Sequence, residues 1–176
     1  MPKASSTLST RVQSESEDAL LAMTDMYMPQ IVSKRKTYEF RRYHISPSVK
    51  RIWFYLNAPH SSVRYICDIE PARTRKFDDS DAPLPEDGLG NKEFNTFHAD
   101  WDKYDFAYRI LAVREIPLGI SLKVMKDRYG MKAAPRGLVY VPSAMTKDFP
   151  LREQKFLWAV EEETLEIRDS VGEDSN

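Results

Sequence analysis

One short stretch of the sequence concentrates charged side chains at a spacing that could bind an anion. From residue 34 to residue 42 the chain reads Lys-Arg-Lys-Thr-Tyr-Glu-Phe-Arg-Arg. If this stretch is a β-strand, Thr37, Glu39 and Arg41 project from one face, because alternate residues of a strand share a face. Lys36 then stands at the entrance to the strand. An arginine fork can bind a phosphate through two hydrogen bonds, and a lysine adds a point charge. The alternative is a solvated edge strand that its charges protect from aggregation.

The charges of the whole chain are unevenly distributed, although the formal net charge is only −1. Residues 30–77 contain 11 basic and 3 acidic residues, whereas residues 78–115 contain 10 acidic and 4 basic residues. Such asymmetry is typical of a surface that faces a polyanion. In that interpretation Arg42, Arg51 and Arg64 extend the positive field beyond the Lys-Glu-Arg cluster. The alternative is that opposite charges pair in the fold and cancel.

The composition predicts one globular domain with polar ends. The chain has 176 residues, which is about the size of one domain. Residues 1–18 and 169–176 contain few large apolar side chains and are predicted to be disordered, which leaves residues 19–168 as the domain. The single cysteine, Cys67, excludes an intramolecular disulfide. With neither a signal peptide nor an apolar run of membrane-spanning length, we expect an intracellular protein of the cytoplasm or nucleus that has no membrane partner.

Alternation of apolar and polar residues predicts a series of short strands separated by turns. We expect strands over residues 20–23, 37–42, 51–56, 63–69, 105–116 and 137–141, the fifth being stopped by Pro117. Short helices are expected between residue 25 and Lys34, over 91–100, from a Ser121 cap to a Gly130 stop, and over 150–158, although residues 165–168 could form a strand instead. This order favours a small barrel or strongly curved sheet with peripheral helices.

Two tryptophans could contribute to binding. In the strand over 51–56, Trp53 shares a face with Arg51, and an exposed aromatic ring beside a cation can stack on a nucleic-acid base. The alternative is that both faces of this strand are buried. Trp101 follows a long polar loop and could either close over a ligand or anchor the loop.

Metal and cofactor chemistry has little support in the sequence. The only local set of ligand types is His98, Asp100 and Asp102. Because a metal site needs three or four converging ligands, we expect no metal site here and no cofactor.

The cluster and its surroundings resemble a known family. The stretch over residues 21–41, above all Lys36-Thr37-Tyr38-Glu39-Phe40-Arg41, resembles the ASCH domains of the PUA-like superfamily, whose signature runs roughly Gly-x-Lys-x-x-Glu-x-Arg after a short helix. Further similarity extends over residues 51–69, 107–115 and 122–142. The family's glycine falls on Lys34, where a left-handed backbone costs a residue with a side chain roughly 1 kcal/mol.

This resemblance implies both a fold and a class of ligand. The implied fold is α+β, a small PUA-like β-barrel of about five or six strands with flanking short helices. ASCH and related domains are associated with RNA or modified-nucleotide recognition, a few members are amidohydrolases of acylated cytidine, and ribonuclease activity is reported for others. The hydrolase members have a threonine where this chain has Glu39. A second catalytic acid is not identified, and only Glu93 and Glu115 are candidates.

We therefore predict a nucleic-acid binding module with a basic cleft, rather than an enzyme. We expect its partner to be RNA or DNA, which could be single-stranded or carry a modified nucleotide. The alternatives are a hydrolase of a modified nucleoside or a ribonuclease that uses the same cleft, and a protein-interaction module. The predicted binding residues are Lys36, Thr37, Glu39, Arg41, Arg42, Arg51, Arg64 and Trp53.

Overall fold

Eight strands and four short helices form the part of the chain that the computed structural model describes, residues 16–75 and 81–161. The strands are β1 (Asp18–Met23), β2 (Tyr38–Arg41), β3 (Arg51–Leu56), β4 (Ser62–Ile69), β5 (Arg73–Thr74), β6 (Phe106–Ser121), β7 (Val139–Tyr140) and β8 (Lys155–Ala159). The helices are α1 (Met28–Val32), α2 (Asn91–Asn95), α3 (Leu122–Tyr129) and α4 (Ser143–Asp148), with 3-10 turns at Ala99–Trp101 and Leu151–Glu153. None of these helices is long and apolar enough to span a membrane.

The strands form one curled mixed sheet in the order β2-β6-β4-β3-β1-β7, and β5 and β8 also pair with β6. Strand β6 is central to the sheet. Its first residues pair with β2 and β5, its middle pairs with β4 and β8, and its last residues pair with β4. Only β1 and β3 are parallel, and the remaining pairs are antiparallel. The predicted α+β class and curved sheet are confirmed, with eight strands in place of five or six.

Both faces of β3 are buried, in two different apolar cores. Ile52 and Phe54 lie in the core inside the curved sheet, whereas Trp53 and Tyr55 pack in a second core that includes Met125 of α3. The alternation predicted for this strand is therefore correct, but Trp53 is not an exposed stacking platform. Its side chain is 1% exposed.

Strand β6 continues past Pro117, where the sequence predicted its end. Its pairing with β4 is interrupted between Glu115 and Ile120, so the missing N–H of Pro117 removes no hydrogen bond from a regular ladder. Gly119 lies in this interrupted stretch and has a left-handed φ of +65°. Regular pairing then resumes up to Ser121, where α3 begins.

The C-terminal part of the domain differs from the prediction. In place of a helix over 150–158, the chain forms β8, which pairs with β6. Pairing with β6 and burial of Trp158 in the inner core decide the local structure, since the strand preference of a segment depends on its packing.

The ends of the chain are described only in part. Asp18, predicted as the last residue of a disordered tail, is the first residue of β1 and is buried. The rest of that tail up to residue 15, the alternative strand over 165–168 and the predicted tail over 169–176 lie outside the described residues.

Candidate functional site

A tight turn after α1 places Lys36 beside β2. Lys34 takes a left-handed φ of +60°, and the N–H of Lys36 donates to the carbonyl of Gln30 at 2.9 Å, which closes the helix end. A lysine thus tolerates the conformation for which the ASCH signature has glycine. Its ammonium lies 5.1 Å from the centre of the Trp158 ring, a contact that offsets part of the backbone strain.

The three charged residues of the motif form one cluster, in which Lys36 and Glu39 are buried and Arg41 is half-buried. Lys36 Nζ lies 2.5 Å from Glu39 Oε2, and Arg41 Nη2 lies 2.9 Å from Glu39 Oε1. Arg41 also donates to the carbonyl of Ala22 at 3.2 Å. The side chains of Lys36 and Glu39 are 8% and 7% exposed. Buried charges are tolerated only when they are paired and hydrogen-bonded, and Glu39 meets this condition for both cations at once.

A cavity of about 250 Å³ opens beside this cluster. Lys36 and Glu39 are its buried polar residues, whereas the Asp100 side chain is exposed and so lies at the mouth. The remaining lining consists of four aromatic rings, those of Tyr27, Phe40, Trp101 and Tyr104. The cavity therefore combines a charged base with an aromatic wall.

The rings of the wall pack edge to face. The Phe40 and Trp101 ring centres are 4.6 Å apart at 85°, and those of Trp101 and Tyr104 are 5.9 Å apart at 64°. Lys36 Nζ lies 5.2 Å from the centre of the Phe40 ring, and Arg42 Cζ lies 4.7 Å from that of Tyr104. Both distances are typical of cation–π contacts. Lys36 thus places a positive charge on the buried side of the aromatic wall, and Arg42 places one on its exposed side.

Thr37 does not join the cluster, although the sequence placed it on the same face. It precedes β2, donates to Asp87 Oδ1 at 3.3 Å and accepts from Asn91 Nδ2 at 3.1 Å. A Cβ on Gly88 would lie within 2.3 Å of the Thr37 hydroxyl oxygen. Thr37 thus holds the loop before α2 against β2 and lines a different, smaller cavity.

Arg51 does not extend the charged cluster. Its guanidinium donates to both carboxylate oxygens of Asp18, at 2.7 and 2.8 Å, and to Glu17 at 3.0 Å. Hydrogen bonding to Asp18 raises the pKa of Arg51. Asp18 also accepts a hydrogen bond from the Trp53 indole at 2.9 Å. The carboxylate of Asp18 therefore binds both Arg51 and Trp53.

Arg64 lies far from the cluster along β6. It donates to Ser62 at 3.2 Å, and its neighbour Tyr65 pairs with Glu115 of β6, whereas Glu39 pairs with Tyr108. The seven residues from 108 to 115 span roughly 20 Å at the usual rise of a strand. Arg64 therefore lies outside the cluster, and its contribution to the positive field stays a prediction.

The structure also changes the candidates for a catalytic acid. Glu115 forms an ion pair with Lys155 of β8 at 3.0 Å, and neither it nor Glu93 lines the cavity. The acids that line it are Glu39 and Asp100. Among the described residues no three His, Cys, Asp or Glu side chains are grouped to hold a metal ion.

Four lining residues were missed as site residues by the sequence analysis: Tyr27, Phe40, Asp100 and Tyr104. The aromatic residues around Trp101 were the available signal, because Phe97, Trp101 and Tyr104 follow one another at short intervals in a polar segment. Their convergence on Lys36 depends on how that segment folds back over β2.

The solved structures similar to this chain include ASCH from Zymomonas mobilis, with a TM-score of 0.55 and 20% identity over 79% of this chain and 96% of that one. A variant of that protein with tyrosine replaced by phenylalanine has a TM-score of 0.55 and 19% identity, over 79% and 99% of the two chains. A serine-to-alanine variant has a TM-score of 0.51 and 22% identity, over 76% and 94%. No family model matches the sequence, and neither does any curated protein. The chain thus has the PUA-like fold that the resemblance implied.

Proposed function

We propose that the cavity binds one nucleotide of an RNA strand, or a modified nucleotide, and that the chain is an ASCH domain in function as well as in fold. The observation that carries this proposal is a buried Lys36–Glu39 pair next to a wall of aromatic rings. Proteins that read single nucleotides stack the unpaired base on aromatic side chains and hydrogen-bond its edge.

The size of the cavity supports a ligand no larger than a nucleotide. Its volume of about 250 Å³ lies below the roughly 300–1,000 Å³ of sites that enclose drug-sized ligands. A base fits against the wall, while a sugar and phosphate would remain at the mouth. Arg42 is exposed and lies beside Tyr104, so it can contact a phosphate there.

The hydrogen-bonding capacity of the cluster restricts the ligand further. Each carboxylate oxygen of Glu39 already accepts from a cation, whereas Lys36 uses one of its three protons on Glu39. The group most available to a ligand is therefore the Lys36 ammonium. We expect the bound base to present an acceptor, such as a carbonyl oxygen or a ring nitrogen, toward Lys36.

Calorimetric titration with mononucleotides and with short single-stranded RNA and DNA tests this proposal. Lys36→Met should weaken nucleotide binding at least tenfold, which corresponds to about 1.4 kcal/mol. The matched control is Lys155→Met, because Lys155 is an exposed lysine on β8 that does not line the cavity. Equal affinities of Lys36→Met and the parent protein would contradict the proposal.

A second function, hydrolysis of an acylated nucleoside, is favoured by one observation. The hydrogen-bonded pair of Lys36 and Glu39 places an ammonium and a carboxylate together in the lining of the cavity, where they could act as acid and base. Release of acetate from N4-acetylcytidine by the purified protein, lost in Lys36→Met, would establish this alternative. Binding without release would support the binding module.

A further inference from the structure

Arg75 is a buried arginine outside the cavity. It follows β5, is 6% exposed, and has no carboxylate of the described residues within ion-pair distance. Burial lowers the pKa of this guanidinium below its usual value. The carboxylates of Asp105 and Asp102 act on this charge only from beyond ion-pair distance. A buried charge without a close counter-ion is costly, so the hydrogen bonds that stabilise it are informative.

Within the described residues, the guanidinium of Arg75 donates to main-chain carbonyls. Nη1 donates to the carbonyl of Phe94 at 2.7 Å, and Nη2 donates to the carbonyl of Trp101. One side chain thereby joins the end of α2 to the 3-10 turn that carries Trp101. The planar fork of an arginine suits this bridge, which a lysine cannot reproduce as a point charge.

Two aromatic rings flank the same guanidinium. Arg75 Cζ lies 4.8 Å from the centre of the Phe94 ring and 5.0 Å from that of Phe97. Cation–π contacts of this kind offset part of the desolvation cost. Arg75 is thus held in place by the segment that it bridges.

That segment contributes Trp101 to the aromatic wall of the cavity. The Phe94 ring centre is 5.4 Å from that of Phe40, which itself packs on Trp101. Gly90 also lies against the indole, since an added Cβ there would be 2.5 Å from Trp101 Cη2 and 3.0 Å from Phe40 Cε2. The Trp101 ring is confined by Gly90 and Phe40, and its backbone is held by Arg75.

We infer that Arg75 is a positioning residue that fixes Trp101 in the aromatic wall without touching the ligand. Its effect on binding rests on the proposed function, whereas its effect on Trp101 does not. Arg75→Lys should therefore free the indole to move and lower the affinity for a nucleotide through Trp101 alone.

The first measurement is acrylamide quenching of Trp101 fluorescence, isolated as the difference between proteins with and without Trp101→Phe. Arg75→Lys should increase the quenching of this contribution. The matched control Arg73→Lys, on β5 two residues earlier, should leave it unchanged. Phe97→Ala removes one flanking ring at an exposed position and should increase quenching in the same direction, which provides a test if Arg75→Lys does not fold. Unchanged quenching in Arg75→Lys, or in Phe97→Ala when the first variant does not fold, would overturn the inference.

The second measurement is a double-mutant cycle on nucleotide affinity. Arg75→Lys should weaken binding about tenfold in the parent protein and have no further effect in a Trp101→Ala background, since coupled residues give non-additive effects. Equal losses in both backgrounds would indicate a general structural role and overturn the inference. If the parent protein binds no nucleotide, the proposed function fails, and the quenching experiment alone decides the role of Arg75.

Discussion

The carboxylate of Glu39 lies 2.5 Å from the ammonium of Lys36, and its second oxygen binds Arg41. A single acid therefore joins two cations that would otherwise repel each other in a buried site. Because this arrangement leaves protons of Lys36 available to the cavity, Glu39 organises the cluster and need not react with a ligand.

The first prediction concerns Glu39→Gln. This substitution leaves the buried Lys36 and the half-buried Arg41 without their shared counter-ion. The free energy of unfolding should therefore fall by about 3–5 kcal/mol in urea titrations. Nucleotide binding should weaken as well, although the protein becomes more positive.

A matched control for this prediction is Glu115→Gln, because the pair of Glu115 with Lys155 is more exposed. Its effect on the free energy of unfolding should be no more than about 1 kcal/mol. Tighter nucleotide binding by Glu39→Gln would show that the cluster acts only as a charged surface.

The second prediction separates Arg42 from the remote arginines. Arg42→Gln should weaken binding of a single-stranded oligonucleotide and reduce the slope of log affinity against log salt by about 0.7–1, since one phosphate contact is lost. Arg51→Gln and Arg64→Gln should leave that slope unchanged. Binding at several salt concentrations measures all three. A smaller slope in Arg64→Gln would contradict this prediction and indicate a phosphate contact at Arg64.

The third prediction concerns stacking on Trp101. Trp101→Ala should reduce nucleotide affinity by about 1–3 kcal/mol, which is the usual contribution of one base stacked on an aromatic ring. Phe156→Ala is the control, because Phe156 is an exposed aromatic residue on β8 outside this cavity. If both variants bind like the parent protein, the aromatic wall is not the binding surface.

The fourth prediction concerns alkaline stability. Burial raises the pKa of Tyr108 to about 12, and its hydroxyl accepts from the Ile45 N–H at 2.6 Å. The folded protein thus keeps this proton when the unfolded chain, with a pKa of 10.0, has lost it. This stabilisation is complete below pH 10 and is lost as the pH rises through 12.

The free energy of unfolding should decline between pH 9 and pH 12, and this decline should be about 2 kcal/mol smaller in Tyr108→Phe than in the parent protein. Urea titrations at a series of pH values measure this decline. Tyr140→Phe, at an exposed position, is the control. A decline of the same size in Tyr108→Phe and the parent protein would show that this hydroxyl does not contribute.

Local signals in the sequence were sufficient for several elements. Ser121 caps α3 by accepting from the Val124 N–H at 3.1 Å, and Gly130 ends that helix with a φ of +70°, as predicted. The alternation in β3 was also correct, because successive side chains of a strand must point to opposite faces. These features depend on residues that are close together in the chain.

The sequence by itself predicted a cluster of Lys36, Glu39 and Arg41, since Glu39 and Arg41 share one face of a strand and Lys36 stands at its start. Only the tertiary structure decided that Trp101 and Tyr104 would cover this cluster and that Arg51 would pair with Asp18. It also decided that the segment over 155–159 would be a strand. These outcomes depend on contacts between residues far apart in the chain, whose strand register and packing no local pattern specifies.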